Sequence, residues 1–253
     1  MRVITLLTDF GDFYHGVMKG VILNCLGEYV QIIDISNSVE SQNVFQGAFL
    51  LFNSYKYFPR KTVHVAVVDP GVGGKRDAIV VESNNYFFVG PDNGILYPSC
   101  AEDGIRRIWR INPSKLGTEI SSTFHGRDIF APVISYVLRN ELEKVAIKKR
   151  KMKELNIFDY EVSGNRVKCR VVFIDKFGNI ITNLRKELVE KVKPKFVVFK
   201  GLKIPVVKTY CEVGVGKPLA LIGSFNTLEI SIRNGNASKK FKVKNGKIEF
   251  ELE

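Results

Sequence analysis

The chain has 253 residues, 45% hydrophobic and 25% charged, the proportions of an ordinary globular protein long enough for two domains. No apolar run approaches the roughly 20 residues of a membrane helix, and the first segment meets Asp9 and Asp12 too early for a signal peptide, so a soluble, cytoplasmic protein is expected. The net charge of +12 is one-sided: residues 1–140 carry 13 basic and 13 acidic side chains, residues 141–253 carry 25 and 13.

In chain order, VITLLTDF is a nearly continuous apolar run with β-branched residues and reads as a buried parallel strand. HGVMKGVILNCL places Val17, Met18, Val21, Ile22, Cys25 and Leu26 at helical spacing, with His15 opening the helix and Gly27 as its C-terminal cap. VQIIDIS is a second strand. QNVFQGAFLLFNSYKYF is a second helix, with Val44, Phe45, Ala48, Phe49 and Phe52 on one face and Pro59 ending it. TVHVAVVDP is a third strand, and the β-α-β-α-β order implies parallel strands with right-handed crossovers. AIVVES and YFFVG, joined by Asn84-Asn85, read as a hairpin, RRIWRI as a strand, and DIFAPVISYVLRN as a helix with Asp128 near its start.

Beyond the basic run Lys148, Lys149, Arg150, Lys151 and Lys153, only strand-like segments follow, closing on KKFKVKNGKIEFELE, where Asn245-Gly246 signals a hairpin. The expected architecture is an α/β domain with a mostly parallel sheet over residues 1–155 and a smaller all-β, barrel-like domain over residues 156–253. The lysine runs, including Lys239, Lys240, Lys242 and Lys244, read as a solvated face. No helix-turn-helix, zinc-finger or RNP-like pattern accompanies them, so no nucleic-acid partner is expected. Cys25, Cys100, Cys169 and Cys211 form no CxxC pair and read as buried, reduced thiols.

In open α/β sheets ligands bind beyond the carboxyl ends of the strands. Three polar, glycine-containing turns fall at such ends: Thr8-Asp9-Phe10-Gly11-Asp12, Val68-Asp69-Pro70-Gly71-Val72-Gly73 with Arg76 beyond, and Gly90-Pro91-Asp92-Asn93-Gly94. A fourth segment, Thr123-Phe124-His125-Gly126-Arg127-Asp128, opens a helix. Each aspartate alone could serve as a turn cap, and Pro91-Asp92-Asn93-Gly94 reads as a structural β-turn. The convergence of Asp69, Arg76 and His125 at element ends points to chemistry. No GxxxxGK[ST], GxGxxG or GxSxG motif is present. Asp9, Asp12, Asp69 and Asp92 have the oxygen chemistry that suits Mg²⁺, but neither a metal nor a cofactor is expected.

Six motifs, TLLTDFG, VVDPGVGGKR, VGPDNG, TFHGRDIFAP, DKFGNIITN and ALIGSFNTLEI, resemble in this order those of the S-adenosyl-L-methionine hydroxide adenosyltransferases, relatives of fluorinase and chlorinase. The resemblance runs from residue 3 to about residue 237 and implies an α/β domain followed by a β-barrel domain. It also implies a homotrimer, with substrate between the N-terminal domain of one subunit and the C-terminal domain of the next. The implied reaction is S-adenosyl-L-methionine plus water giving adenosine plus L-methionine. The resemblance assigns catalysis to Asp69, Arg76 and His125, with His125 or a triad partner taking a proton and Arg76 stabilising hydroxide character. It assigns the ribose to Asp9, with a second contact from Asp69, the methionine ammonium to Asp175, stacking to Phe177, an adenine edge to Asn179, the methionine carboxylate to Ser224, and a further substrate contact to Glu229. Phe225 stands where the related fluorinase has an arginine. The other readings left open are a halogenase of the same fold and a non-catalytic nucleoside- or nucleic-acid-binding protein.

Overall fold

Apolar, β-branched residues alternate with amphipathic helical segments through the first half of the chain, and a computed structural model describing residues 2–27, 29–117 and 119–253 shows how they assemble. Strand β1 (Val3–Thr8) is buried along its whole length. It pairs in parallel with β2 (Gln31–Ser36) and β3 (Val63–Val67), and β3 pairs in parallel with β5 (Phe87–Pro91). Strand β4 (Ala78–Ser83) runs antiparallel to β5 and to β6 (Ile105–Ile111), and β7 (Ala146–Lys149) closes the edge against β6. The order is β2-β1-β3-β5-β4-β6-β7. The interleaved helices are α1 (Gly11–Leu26), α2 (Val44–Ser54), α3 (Tyr97–Asp103) and α4 (Ala131–Leu138). These elements belong to one compact unit, Met1–Leu155, and a second unit spans Asn156–Glu253.

Helix α1 ends as the sequence predicts: Gly27 adopts φ 65°, and its N–H bonds the Leu23 carbonyl. Its start differs. The helix begins at Gly11, so His15 lies inside it and is buried with Met18, Ile22 and Leu26. The burial follows from bonding: Thr8 Oγ1 lies 2.9 Å from Nδ1 of His15, and Asp34 Oδ1 lies 2.8 Å from Nε2. Helix α2 also turns differently. Gln46, Gly47, Ala48, Phe49 and Leu51 are buried, whereas Val44, Phe45 and Phe52 are only half-buried. The Asn43 side chain caps this helix by accepting from the Gln46 N–H, which fixes its rotation.

The second unit is built on one sheet: β8 (Glu161–Ser163), β9 (Arg166–Ile174), β10 (Ile180–Arg185), β11 (Phe196–Phe199), β12 (Leu202–Pro205), β13 (Pro218–Ile222), β14 (Thr227–Ile232) and β15 (Gly246–Leu252). The order is β12-β11-β15-β9-β10-β14-β13, with β8 on β9. Just after β12, Val206 bridges to Ala220 of β13, which brings the two ends of the order together and gives the sheet its barrel-like closure around Val171, Ile180, Phe199, Leu228 and Phe250. Two expectations fail in this unit. It is not strands alone: α5 (Lys186–Val192) and α6 (Ala237–Phe241) interrupt them. Nor does Asn245-Gly246 turn a hairpin, because the preceding lysine-rich segment is helical. Asn236 caps α6 by accepting from the Lys239 N–H, Ala237 and Phe241 are buried, and Lys242 takes a left-handed conformation that ends any alternation.

No helix among the described residues is long and apolar enough to cross a membrane. The cysteines are unpaired; Cys100 and Cys169 are buried as expected, but Cys25 is only half-buried and Cys211 is exposed.

Candidate active site

The parallel strands β1, β3 and β5 deliver their carboxyl ends to one edge of the first sheet, and β4 starts at that edge because it runs antiparallel. Asp69 follows β3 and Arg76 precedes β4, so one loop carries both. Arg76 grips the Asp69 carboxylate in a fork: Nε donates to Oδ1 and Oδ2 at 3.1 and 2.9 Å, and Nη2 donates to Oδ2. Such a charge-assisted, bidentate pair fixes both planes. Its side chains are 12% and 4% exposed, so neither charge can turn to water instead.

The same Nη2 lies 2.7 Å from Nδ1 of His125, which is 49 residues away in sequence. Two features bring that residue in. Gly73 (φ 75°) packs so closely on the Ser122 backbone that an added Cβ would stand 2.4 Å from the Ser122 carbonyl oxygen, so only glycine lets the two loops touch. A wide helical turn at Gly126–Phe130 then leads into α4, with His125 at its head. Beneath the trio, the Phe130 ring lies 5.4 Å from the Arg76 guanidinium. Asp128 braces the loop by accepting from the Ser121 N–H at 2.9 Å and from Arg127. Burial pushes its carboxyl up, but these bonds hold it below the usual carboxylate range.

The geometry also settles a tautomer. Arg76 can only donate, so Nδ1 of His125 is the acceptor and the neutral ring carries its proton on Nε2. Burial, then the charge of Arg76, hold His125 below the ordinary histidine pKa, against the opposing pull of Asp69 and Asp128. His125 is therefore a neutral donor at neutral pH.

The other predicted residues fall into two groups. Asp9 lies in the turn after β1, where Oδ2 accepts the Gln42 N–H at 2.8 Å. Asp92 belongs to the neighbouring turn and is used structurally, bonded by Lys149 and by the Lys153 N–H, while Asn93 donates to the Val68 carbonyl. Among the described residues, no three His, Cys, Asp or Glu side chains are grouped so that they could hold a metal ion.

Asp175, Phe177, Asn179, Ser224 and Glu229 belong to the second unit. Asp175 holds the β9–β10 turn: Oδ1 accepts the N–H groups of Phe177 and Asn179, and Oδ2 accepts from Asn179 Nδ2, each at 2.9 Å. A cavity of about 740 Å³ opens beside this turn, lined by Asp175, Phe177, Asn179, Tyr210, Cys211 and Arg233, among others. A second, of about 440 Å³, is lined by Asp175, Lys208, Tyr210, Ser224, Phe225 and Glu229, among others. Glu229 is buried, and its Oε1 accepts from the Tyr210 hydroxyl and, at 2.6 Å, from Ser231. Burial, then the bond to Glu229, push the Tyr210 phenol up. Sequence reasoning missed Lys208, Tyr210 and Arg233. Arg233 carried a signal, as a cation directly after a strand; Lys208 and Tyr210, in an irregular segment, carried none.

Comparison with known proteins decides the family. Residues 4–146 match the model of the SAM hydroxide adenosyltransferase N-terminal domain, and residues 169–248 match that of the C-terminal domain. The chain belongs to the SAM hydroxide adenosyltransferase family. It is 40% identical to the (R)-S-adenosyl-L-methionine hydrolase of Methanocaldococcus jannaschii, over 96% of this chain and 93% of that protein. It is 30% identical to the enzyme of the same name from Thermus thermophilus, over 97% and 98%. A fluorinase from Actinopolyspora mzabensis stands further off at 21%, over 96% and 95%. Among solved structures, an uncharacterized conserved protein from Thermotoga maritima superposes with a TM-score of 0.87 at 35% identity, covering 98% of this chain and 99% of that one.

Proposed function

We propose that this enzyme hydrolyses S-adenosyl-L-methionine to adenosine and L-methionine by attack of water at C5′ of the ribose, with Asp69, Arg76 and His125 as the catalytic group. The observation that carries this reading is the hydrogen-bonded trio itself: one carboxylate, one fixed cation and one neutral imidazole. The sulfonium already makes a neutral thioether leaving group, so no acid is needed. One C–S bond breaks with its electron pair going to sulfur, one C–O bond forms, and one proton leaves the water. Orienting that water is where most of the rate can be gained.

The protonated Nε2 of His125 donates to the water oxygen and aims its lone pair. Asp69, the anion of the trio, takes the proton, while Arg76 holds the carboxylate and stabilises hydroxide character. A halide needs no proton acceptor, so this set favours hydrolysis over halogenation. Asp9 and Asp69 hold the ribose hydroxyls, Phe177 and Asn179 take the adenine, and Asp175, Ser224 and Glu229 take the methionine end. The protein works in the cytoplasm, with no cofactor, as a homotrimer in which the N-terminal unit of one subunit faces the C-terminal unit of the next. Sedimentation of the purified chain tests that assembly.

The reaction is tested in ¹⁸O-labelled water, with and without chloride, for the wild type and His125→Ala. Labelled adenosine plus methionine is expected, slowed about 10²-fold or more in the variant. Because His125 stays neutral below its ordinary pKa of about 6.5, the wild-type rate should hold as pH falls to that value and decline only below it. Tight adenosine binding without turnover would leave a nucleoside-binding protein, and a chlorinated nucleoside would move the enzyme to the halogenases.

A further inference from the structure

The two cavities of the C-terminal unit share Asp175 and Tyr210 but differ in charge. The smaller one is lined by two carboxylates, Asp175 and Glu229, and by a single cation, Lys208. The lining includes Asp175, Ser224 and Glu229, to which the methionine end is assigned above; we propose that the Lys208 ammonium pairs with the α-carboxylate of that end. The inference rests on the S-adenosyl-L-methionine reading above.

An α-amino acid attached to a sulfonium presents two positive charges and one negative. A complementary wall presents two negative charges and one positive, and that is the lining here. The negative side is built in advance. Asp175 is pinned by the N–H groups of its own turn, and Glu229 is held by Tyr210 and Ser231. An added Cβ on Gly223 would stand 2.7 Å from Glu229 Oε2, so the β13–β14 turn closes over that carboxylate.

The positive side falls to Lys208. Its backbone N–H is anchored by Glu212 Oε1 at 2.9 Å, and the next residue, Thr209, opens a capping box with the same Glu212. The base of the side chain is therefore placed while its ammonium makes no ion pair among the described residues. Ser224, in the same lining, can add a hydroxyl donor to the α-carboxylate but brings no charge. Phe225 brings no charge, and Arg233 lines the other cavity and donates through Nη1 to the Val213 carbonyl at 2.7 Å. Tyr210 is a neutral donor held by Glu229.

The test compares S-adenosyl-L-methionine with its decarboxylated analogue, which keeps the sulfonium and amine but lacks the carboxylate. Lys208→Met should raise KM for S-adenosyl-L-methionine about 10- to 100-fold, the size of one charge-assisted hydrogen bond, with kcat nearly kept. KM for the analogue should not change, and Lys208→Arg should restore the preference. Lys247→Met, an exposed lysine on β15, controls for net charge. Calorimetry of L-methionine binding to the adenosine-loaded protein supplies a second readout that needs no turnover. If Lys208→Met weakens both substrates equally, or neither, and leaves L-methionine binding intact, the assignment falls. If no substrate is turned over but L-methionine binding is lost in the variant, the hydrolase reading falls and the subsite stands.

Discussion

The candidate sites on the two units satisfy their polar groups in opposite ways. On the N-terminal unit, Asp69, Arg76 and His125 bond to one another, so the partners of each group are other members of the proposed catalytic set. On the C-terminal unit, Asp175 accepts from Phe177 and Asn179, its neighbours in one turn and neither of them ionisable, and Glu229 accepts from Tyr210 and Ser231, both outside the set predicted from sequence. The first arrangement couples protonation states, so a change in one group is felt by all. The second fixes charges at the rim of a cavity and leaves their remaining acceptor positions for a ligand. The first suits chemistry and the second suits recognition, and variants of the two should separate in kcat and KM.

The largest effect is expected at Asp69. Asp69→Asn keeps the shape and one acceptor oxygen for Arg76 but removes the anion that takes the proton. It should lower kcat about 10³-fold or more and move KM less than tenfold. Steady-state kinetics on the purified variant check this. A kcat loss under tenfold would transfer the proton to bulk solvent and reduce Asp69 to a brace for Arg76.

The comparison was only partly legible in the sequence. The carboxyl-end turns after β1 and β3 could be placed because periodicity alone gives β-α-β-α-β, and parallel strands must end on one edge; the turn after β5 followed from a segment read only as half of a hairpin. Asp69, Arg76 and His125 were grouped by their place at strand and helix ends and by the family resemblance, but neither shows that Nδ1 of His125 faces Arg76, a contact across 49 residues that fixes the tautomer. Local patterns misled where tertiary packing overrode them. KKFKVKN alternates like a strand, yet Phe241 is buried from a short helix capped by Asn236. His15 looked like a helix start, yet it sits inside α1 because Thr8 and Asp34 bond both ring nitrogens. Lys208 and Tyr210 were invisible because nothing periodic marks an irregular segment that folds over a barrel end.

A second contrast is between the units as folded bodies. All three histidines lie in the N-terminal unit. His64 is buried against Phe88, Tyr86, Tyr55 and Phe58, and burial pushes its pKa down to about 3. The native state thus needs the neutral ring, while the unfolded chain takes up a proton below about 6.5. Stability from this group is complete above that value and is lost as pH falls towards the folded pKa, by about 3 kcal/mol at pH 4. Amide exchange between pH 7 and pH 4 should loosen the β1–β3 region more than the C-terminal sheet, and His64→Leu should flatten the difference. An unchanged pH dependence in that variant would assign the acid sensitivity to carboxylates.

The smallest effect is expected at Glu229. Glu229→Gln has the same shape and still accepts from Tyr210 and Ser231, so folding should be unaffected. It removes one negative charge from the wall facing a ligand end that carries two positive charges and one negative. KM for S-adenosyl-L-methionine should rise about tenfold, near 1.4 kcal/mol, with kcat within a factor of two or so. The Tyr210 phenol supplies an independent reading. Burial keeps it high, but without the bond to a carboxylate it should ionise at lower pH, visible in the ultraviolet titration. A shifted tyrosine titration with an unchanged KM would mean that Glu229 serves only to hold Tyr210 over the cavity. A loss in kcat instead of KM would erase the division between the two units, because a charge on the recognition side would then be felt at the reacting bond.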